Sequence, residues 1–340
     1  MKVAIFDTHR FEKEFFEKAN INFQEALTFF EPRLTEQTAK LAAGFDVVCS
    51  FANDRLNSKT LSILNSYSIR LIALRSAGFN HVDLEAAAQL GMKVVRVPEY
   101  SPYAVAEHAT ALILSLNRKI HHAYNRVREG NFSLDSLVGF DLHGKTVGII
   151  GTGKIGSVMA RIMSGFGCQI LAFDIRPKIE LTEKYNVKYT SLEDIYHQSD
   201  IISLHVPLTP DTKHLIDEKA IAQMKRGVMV INTGRGALVD ARALIVALKG
   251  KTIGSAGLDV YEEEEGVFFQ DLSDQVLQDD VLARLMTFPN VLITSHQAFL
   301  TREALTGIAT TTLKNIREFD EGRHLTNEVS IRGKGPAAHN

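Results

Sequence analysis

Apolar residues in the first hundred positions gather into short continuous runs, set apart by mixed stretches of about ten residues. The runs "KVAIFD" (2–7), "FDVVCSF" (45–51), "IRLIAL" (69–74) and "KVVRVP" (93–98) predict strands. They do not alternate with polar residues, which is the pattern of strands buried on both faces of a parallel sheet. Between them, "FEKEFFEKAN" (11–20), "TEQTAKLAAG" (35–44), "SKTLSILNSYS" (58–68) and "VDLEAAAQLG" (82–91) predict helices, two of them ending at glycine. Strands alternating with helices of that length make an α/β fold with helices covering a parallel sheet. A long helix is expected over about Tyr103 to Glu129. Its first half, "AVAEHATALILSL", is apolar on most faces and should be buried on more than one side, and Gly130 marks its stop. Alternation resumes from Lys145 to His296, a last helix covers Thr301 to Phe319, and the tail "RGKGPAAHN" reads as disordered.

A chain of 340 residues is too long for one ordinary core, so two domains are expected. Its 45% apolar and 23% charged content is that of a soluble globular protein. A formal net charge of -2 argues against an electrostatic nucleic-acid binder. The start "MKVAIFDTHR" becomes charged too early for a signal peptide, and no apolar run approaches a membrane span. Cys49 and Cys168, the two cysteines, sit in or beside strand-like runs, which favours buried thiols and a cytoplasmic setting over a disulfide. His121 and His122 are adjacent on the expected long helix and should point to different faces, so no shared metal is expected.

One glycine pattern changes the picture. "KTVGIIGTGKIGSVMARIM" places Gly151, Gly153 and Gly156 as G-x-G-x-x-G between a predicted strand (Thr146 to Ile150) and a helix from about Lys154. A second predicted strand, "CQILAFD", ends at Asp174, 18 residues past Gly156. This is the dinucleotide fingerprint in the context that it needs. Gly151 permits the tight turn, Gly153 lets backbone N–H groups approach a pyrophosphate at the helix N-terminus, and Gly156 lets helix and strand pack closely. The Asp174 carboxylate can accept from both adenosine ribose hydroxyls and would repel a 2′-phosphate, which favours NAD over NADP.

Four more strand ends converge on the same edge. "DIISLHVP" ends at Val206-Pro207, "VMVINTGRG" at Thr233-Gly234-Arg235-Gly236, and "IGSAGLDVYEEEE" near Asp259, with Glu262 to Glu265 beyond it. "NVLIT" runs into "SHQAF", with His296 at the strand tip. Taken alone, His296 reads as a packed ring. With Arg235 and one of the acids at the carboxyl edge of a parallel sheet, it reads as a proton carrier. The carboxylate would hold and charge the ring, and the arginine would bind an anionic substrate bidentately.

The segments "RSAGFNHVD" (75–83), "GTGKIG", "HVPLTPDTKHLID", "INTGRGALVD", "GLDVYEEE" and "HQAFLT" resemble the D-isomer-specific 2-hydroxyacid dehydrogenases over nearly the whole chain. The insert "EEEGVFFQDLSDQVLQDDVLARL" resembles their fermentative D-lactate branch. The resemblance implies two Rossmann/flavodoxin-like domains with parallel sheets, and substrate and cofactor in the cleft between them. The substrate domain would be residues 1–100 completed by 299–330, the NAD-binding domain 101–298, and 331–340 a tail. It implies Arg235, Glu264 and His296 as the catalytic residues. Backbone N–H groups of Ser76, Ala77 and Gly78 would hold the substrate carboxylate, Tyr100 would reach the substrate, and Phe299 would form an apolar wall. Lys154 and Ile155 would lie on the NAD pyrophosphate, Asp174 on the ribose and Val206-Pro207 on the adenosine side. Thr212 would be a further cofactor contact, and Thr233, Gly234, Arg235 and Asp259 would lie by the nicotinamide. The helix from Tyr103 would bury its apolar half against a second subunit, giving a homo-oligomer, a dimer through the cofactor domain or a tetramer.

The activity implied is reversible reduction of pyruvate to D-lactate. Hydride would pass from NADH to the carbonyl carbon, while protonated His296 donates to the oxygen and Arg235 orients the substrate. Two alternatives stand beside it: a dehydrogenase for a bulkier 2-keto acid such as phenylpyruvate or 2-ketobutyrate, and an NAD(H)-sensing binding protein. Pocket volume near Phe51, Tyr100 and Phe299 would decide the first.

Overall fold

The structure, a computed structural model, describes residues 1–264 and 266–329. The chain divides into two units, Met1–Ser101 with the chain from Leu300 on, and Pro102–Phe299. The tail expected at 331–340 lies outside the described residues.

In the first unit five strands pair in parallel in the order β2-β1-β3-β4-β5. They are β1 (Lys2–Ile5), β2 (Ala26–Phe29), β3 (Val47–Ser50), β4 (Leu71–Leu74) and β5 (Lys93–Val95). Successive side chains of a strand face opposite sides. Val3, Ile5, Val47, Cys49, Leu71 and Ala73 therefore pack together with α1 (Arg10–Asn20), through Phe16, and with the closing helix Arg302–Asp320, through Ala309, Leu313 and Ile316. Ala4, Phe6, Val48, Ile72 and Leu74 face the other way, onto α2 (Ser58–Ser66) and α3 (Leu84–Gln89). Both helices start on capping side chains, Asn57 accepting from Thr60 N–H and Asp83 from Ala86 N–H, each at 2.9 Å.

Two features of this unit differ from the sequence reading. Residues 35–44 form only a 3-10 turn, Ala39–Ala42, because the N–H of Thr35 and the carbonyl of Arg33 are both taken by the Thr38 hydroxyl. A hydroxyl that satisfies local backbone competes with a helix start. The strand β2 was not expected; it lies at the sheet edge, and its alternating exposure lacks the continuous burial of its neighbours.

The second unit carries seven parallel strands in the order β12-β11-β10-β9-β6-β7-β8. These are β6 (Thr146–Ile150), β7 (Gln169–Phe173), β8 (Lys188–Tyr189), β9 (Ile201–Leu204), β10 (Val228–Asn232), β11 (Ile253–Leu258) and β12 (Val291–Ile293). Val147, Ile149, Ile170, Ala172, Met229 and Ile231 pack on one face against α4 (Pro102–Arg118) and α6 (Lys154–Gly165). Ile150, Leu171, Ile202, Leu204, Val230 and Leu258 build the other face.

The expected long helix is two. α4 ends at Arg118 and α5 spans Ile120–Arg128, because Lys119 takes a left-handed backbone, φ +49°. Such a residue cannot continue a right-handed helix. On the apolar half of α4, Ala106, Ala109, Leu112, Ile113 and Leu116 are buried in the unit's own core. Exposed apolar residues lie further on, at Tyr124, Val127, Phe132, Leu134 and Val138. His121 and His122 do not point apart as expected, since their ring centroids are 4.2 Å from each other. Cys49 is buried and Cys168 half-buried; both are free thiols. Among the described residues no helix is long and apolar enough to cross a membrane.

Candidate active site

All seven strands of the second unit run in parallel, so the residues after β6, β7, β9, β10, β11 and β12 share one edge. The strand order turns at β6, between β9 and β7, the switch point where open α/β sheets bind ligands.

The glycine loop is shaped for a phosphate. Gly151 has φ +93°, and a Cβ there would meet the carbonyl oxygen of His205 at 2.6 Å. A Cβ on Gly156 would fall 1.9 Å from the carbonyl oxygen of Gly151, so only glycine lets α6 start this close to β6. At Gly153 a Cβ would meet nothing within 4 Å, so the loop surface at the start of α6 is open. An open loop at a helix N-terminus fits a dinucleotide pyrophosphate. Lys154 is exposed and Ile155 half-buried on the first turn.

Asp174 follows β7 directly. One of its oxygens accepts from the N–H of Thr152 at 2.6 Å and the Thr152 hydroxyl at 3.1 Å; the other accepts from the N–H of Arg176 at 2.8 Å. A carboxylate offers about four acceptor sites, so these bonds orient it without filling it. On the far side of β6, Val206 is half-buried and Pro207 exposed. The Thr212 hydroxyl is spent locally, donating to the Pro207 carbonyl at 2.6 Å and so closing that turn.

After β10, Asn232 ties the next turn from below. Its side chain donates to the Arg235 carbonyl at 2.9 Å and accepts from the Gly234 N–H at 3.1 Å. Gly236 lies so close to the Tyr261 backbone that a Cβ would meet its carbonyl carbon at 2.0 Å. Only glycine permits so near an approach. Thr233 is buried beside the turn. The Arg235 guanidinium donates to the Gly234 carbonyl at 2.7 Å and has no ion-pair partner among the described residues.

Of the acids beyond β11, Glu264 meets the histidine: its Oε1 lies 2.8 Å from His296 Nδ1, and its Oε2 accepts from the Tyr261 N–H at 3.2 Å. Glu262 pairs instead with His214 at 2.9 Å, Glu263 is exposed, and Glu265 lies outside the described residues. With Nδ1 turned to the carboxylate, His296 keeps Nε2 without a partner among the described residues. The Phe269 ring lies 5.9 Å away.

His296 has φ +52°, a left-handed conformation that costs a non-glycine residue energy and persists only where surroundings enforce it. Asp259 enforces it. Its carbonyl accepts from His296 N–H at 2.7 Å, and its carboxylate accepts from Gln297 N–H at 2.8 Å, Ala298 N–H at 2.9 Å and the Thr294 hydroxyl at 2.6 Å. Burial pushes the Asp259 carboxyl up, but hydrogen bonds from His108, Thr294 and Ala298 outweigh it and hold it below the usual carboxylate range. Asp259 is fully buried, so it braces the edge from beneath. His108, on α4, touches both Thr294 Oγ1 at 2.9 Å and Asp259 Oδ1 at 3.3 Å. Asn232 and His108 were not singled out from sequence. The available signal was a polar side chain inside each apolar run, "VMVIN" and "AVAEHATALILSL".

In the first unit, the loop after β4 leaves the N–H groups of Ser76, Ala77 and Gly78 out of the hydrogen bonds found among the described residues, while the Ser76 hydroxyl donates to the Gly78 carbonyl at 2.8 Å. Beneath the loop lies Arg75, buried, donating to Glu12 at 2.8 and 2.9 Å and to the carbonyls of Phe6 and Asp7 at 2.7 Å. Its guanidinium also sits 4.7 Å from the centre of the Phe51 ring. Tyr100 is half-buried. In the second unit Phe299 is buried. The insert after β11 walls a separate cavity of about 850 Å³, lined by His214, Asp240, Glu262, Glu263 and Asp279 and by neither Arg235 nor His296.

The family described as D-isomer specific 2-hydroxyacid dehydrogenase, NAD binding domain, matches residues 110–298. D-lactate dehydrogenase of Escherichia coli K12 is 52% identical over 329 residues, 97% of this chain and all of that protein. The apo structure of the Escherichia coli D-lactate dehydrogenase superposes with a TM-score of 0.89 at 50% identity, over 97% of this chain and 100% of that one. The pyruvate reductase of Chlamydomonas reinhardtii does so with a TM-score of 0.92 at 45% identity, over 96% and 98%. The chain belongs to the D-isomer-specific 2-hydroxyacid dehydrogenases, a family of NAD-dependent oxidoreductases.

Proposed function

We propose that this chain interconverts pyruvate and D-lactate with NAD(H), with His296 as the acid/base. The observation that carries the reading is the 2.8 Å contact of Glu264 with His296 Nδ1, on an edge that also holds an Arg235 without an ion pair among the described residues. The Escherichia coli and Chlamydomonas relatives, named for D-lactate and for pyruvate, support the substrate.

When bound, the nicotinamide supplies the hydride that the carbonyl carbon takes up. Glu264 accepts a hydrogen bond from Nδ1–H and so orients the ring, leaving His296 Nε2 to give its proton to the carbonyl oxygen as negative charge grows there. Arg235 presents its planar fork to the substrate and offsets that charge. The N–H groups of Ser76, Ala77 and Gly78 take the substrate carboxylate, with Tyr100 and Phe299 shaping the apolar side. For the cofactor, Gly151, Gly153, Lys154, Ile155 and Gly156 form the pyrophosphate cradle. Asp174 takes the adenosine ribose, Val206 and Pro207 flank the adenosine, and Thr233 and Gly234 lie by the nicotinamide. Asp259 acts through the turn that it braces, and Thr212 through the turn that it closes.

The test is NADH oxidation across 2-keto acids from pyruvate to phenylpyruvate, with the chirality of each product measured. Pyruvate should be reduced efficiently to the D-product; an L-product, or turnover confined to bulky acids, overturns the reading.

The exposed apolar run on α5 and the segment after it, from Tyr124 to Val138, supports self-association through the cofactor domain. Sedimentation of the chain against a Tyr124→Glu, Phe132→Glu variant tests this. The variant should sediment as a smaller species, and equal species would rule the surface out. The two free thiols fit a cytoplasmic location.

A further inference from the structure

Two consecutive carbonyls of the loop after β4 are turned to the same side. The Ser76 carbonyl accepts from the Val97 N–H at 3.1 Å, and the Ala77 carbonyl accepts from Arg96 Nη1 at 2.8 Å. In a planar trans peptide the N–H of the next residue points opposite to the carbonyl. The N–H groups of Ala77 and Gly78 therefore both point away from Arg96 and Val97, side by side. Two N–H groups aimed together make a small anion-binding concavity.

Arg96 is itself held. Its N–H donates to the Asn327 carbonyl at 3.1 Å, and its carbonyl accepts from the side chain of Asn315, a buried residue of the closing helix, at 2.9 Å. Asn327 in turn donates to Asn315 Oδ1 at 2.8 Å. The guanidinium lies 5.3 Å from the centre of the Phe79 ring, so it grips the loop at the Ala77 carbonyl and again one residue past Gly78. The sequence marks the position as well, since Arg96 interrupts the apolar run "KVVRVP".

We propose that Arg96 is a positioning residue for substrate recognition. It holds the Ala77–Gly78 peptide so that its N–H faces the substrate carboxylate. The proposal rests on the reading that this loop takes the carboxylate. Without the Arg96 bond the peptide is free to rotate, and a flipped peptide would present its carbonyl to an anion. A fork that donates to the carbonyl and stacks on the ring fixes one orientation; lysine can donate but cannot stack as a plane.

The variants are Arg96→Met, which keeps the apolar stem, and Arg96→Lys. Each is measured for the KM and kcat of pyruvate reduction, for NADH affinity, and for affinity of the NADH complex for oxamate, an unreactive carboxylate of pyruvate's shape. Loss of one charge-assisted hydrogen bond should weaken oxamate binding and raise the KM by at least about tenfold in Arg96→Met. NADH affinity and kcat at saturating pyruvate should stay within about twofold, and Arg96→Lys should recover part of the loss. A merely structural role would instead lower kcat and NADH affinity together with melting temperature. Unchanged KM and oxamate affinity in folded Arg96→Met overturn the proposal. If Arg96→Met does not fold, Arg96→Lys decides: full oxamate affinity there overturns it. A crystal structure of the unmodified protein with NADH and oxamate separates this from the underlying reading. A carboxylate bound away from residues 76–78 sinks the loop assignment itself. A carboxylate on those N–H groups with undiminished binding by Arg96→Met sinks only the role of Arg96.

Discussion

The backbone carbonyl of Asp259 accepts the N–H of His296 at 2.7 Å, while the carboxylate of the same residue accepts the next two N–H groups at 2.8 and 2.9 Å. One buried side chain at the end of β11 thus holds the strained turn that displays the ring. Asp259→Asn keeps the shape but replaces one acceptor oxygen with an NH2 group facing donors. Losing one charged hydrogen bond is worth roughly 1.5–3 kcal/mol. The kcat for pyruvate reduction should fall at least about tenfold, together with the melting temperature. A variant with unaltered kcat would show that the turn holds without Asp259.

Arg235 has no carboxylate partner among the described residues, so its fork is left for substrate. Arg235→Lys keeps the charge and loses the bidentate geometry. The kcat/KM for pyruvate should drop by at least about tenfold, about 1.4 kcal/mol of transition-state binding. Steady-state kinetics in both directions check it, and an unchanged kcat/KM would remove Arg235 from the reaction.

Asp174 keeps acceptor capacity at the end of β7 after three local bonds. The unmodified chain should prefer NADH to NADPH by kcat/KM, and Asp174→Ala should narrow the ratio by removing the charge that repels a 2′-phosphate. Equal use of both cofactors by the unmodified chain would contradict the assignment.

Asp54 supplies a stability test. Burial pushes its carboxyl up to about 6, against the opposing pull of the Arg75 charge and of hydrogen bonds from the N–H groups of Leu34 and Phe51. An acid raised in the folded state binds its proton more tightly there than in the unfolded chain. Folding is therefore favoured below the unfolded value of 3.8, and that contribution is lost as pH rises through about 6. The stability of the unmodified chain relative to Asp54→Asn should shrink by up to about 3 kcal/mol between about pH 4 and pH 7. Denaturant titrations across that range measure it, and a pH-independent difference would contradict the burial argument.

Much of this was legible in the sequence because parallel strands buried on both faces leave unbroken apolar runs, and because glycines at forced positions leave a spaced pattern. Gly151 and Gly156 are required by distances of 2.6 and 1.9 Å to backbone oxygens, which is why they could be read. The break at Lys119 could not be read, since nothing in "LNRKIHH" forbids a continuous helix; a left-handed lysine is imposed by tertiary context. β2 escaped because an edge strand needs no continuous apolar run. Among Glu262 to Glu264, identical side chains in a row carry no signal of their own. The separation comes from the fold, which gives His214 to Glu262 and His296 to Glu264.

The central claim is that Glu264 and His296 work as one proton-transfer couple. Glu264→Gln removes the charge 2.8 Å from Nδ1 while keeping the shape, and His296→Gln removes the proton donor itself. The most direct measurement is a double-mutant cycle on the kcat for pyruvate reduction, with Glu264→Gln, His296→Gln and the double variant. The account predicts that each single change lowers kcat by at least about tenfold, and that adding Glu264→Gln to His296→Gln costs little more, because a pair that works as one unit is lost only once. Losses that simply add, or an unaltered kcat in Glu264→Gln, would contradict it.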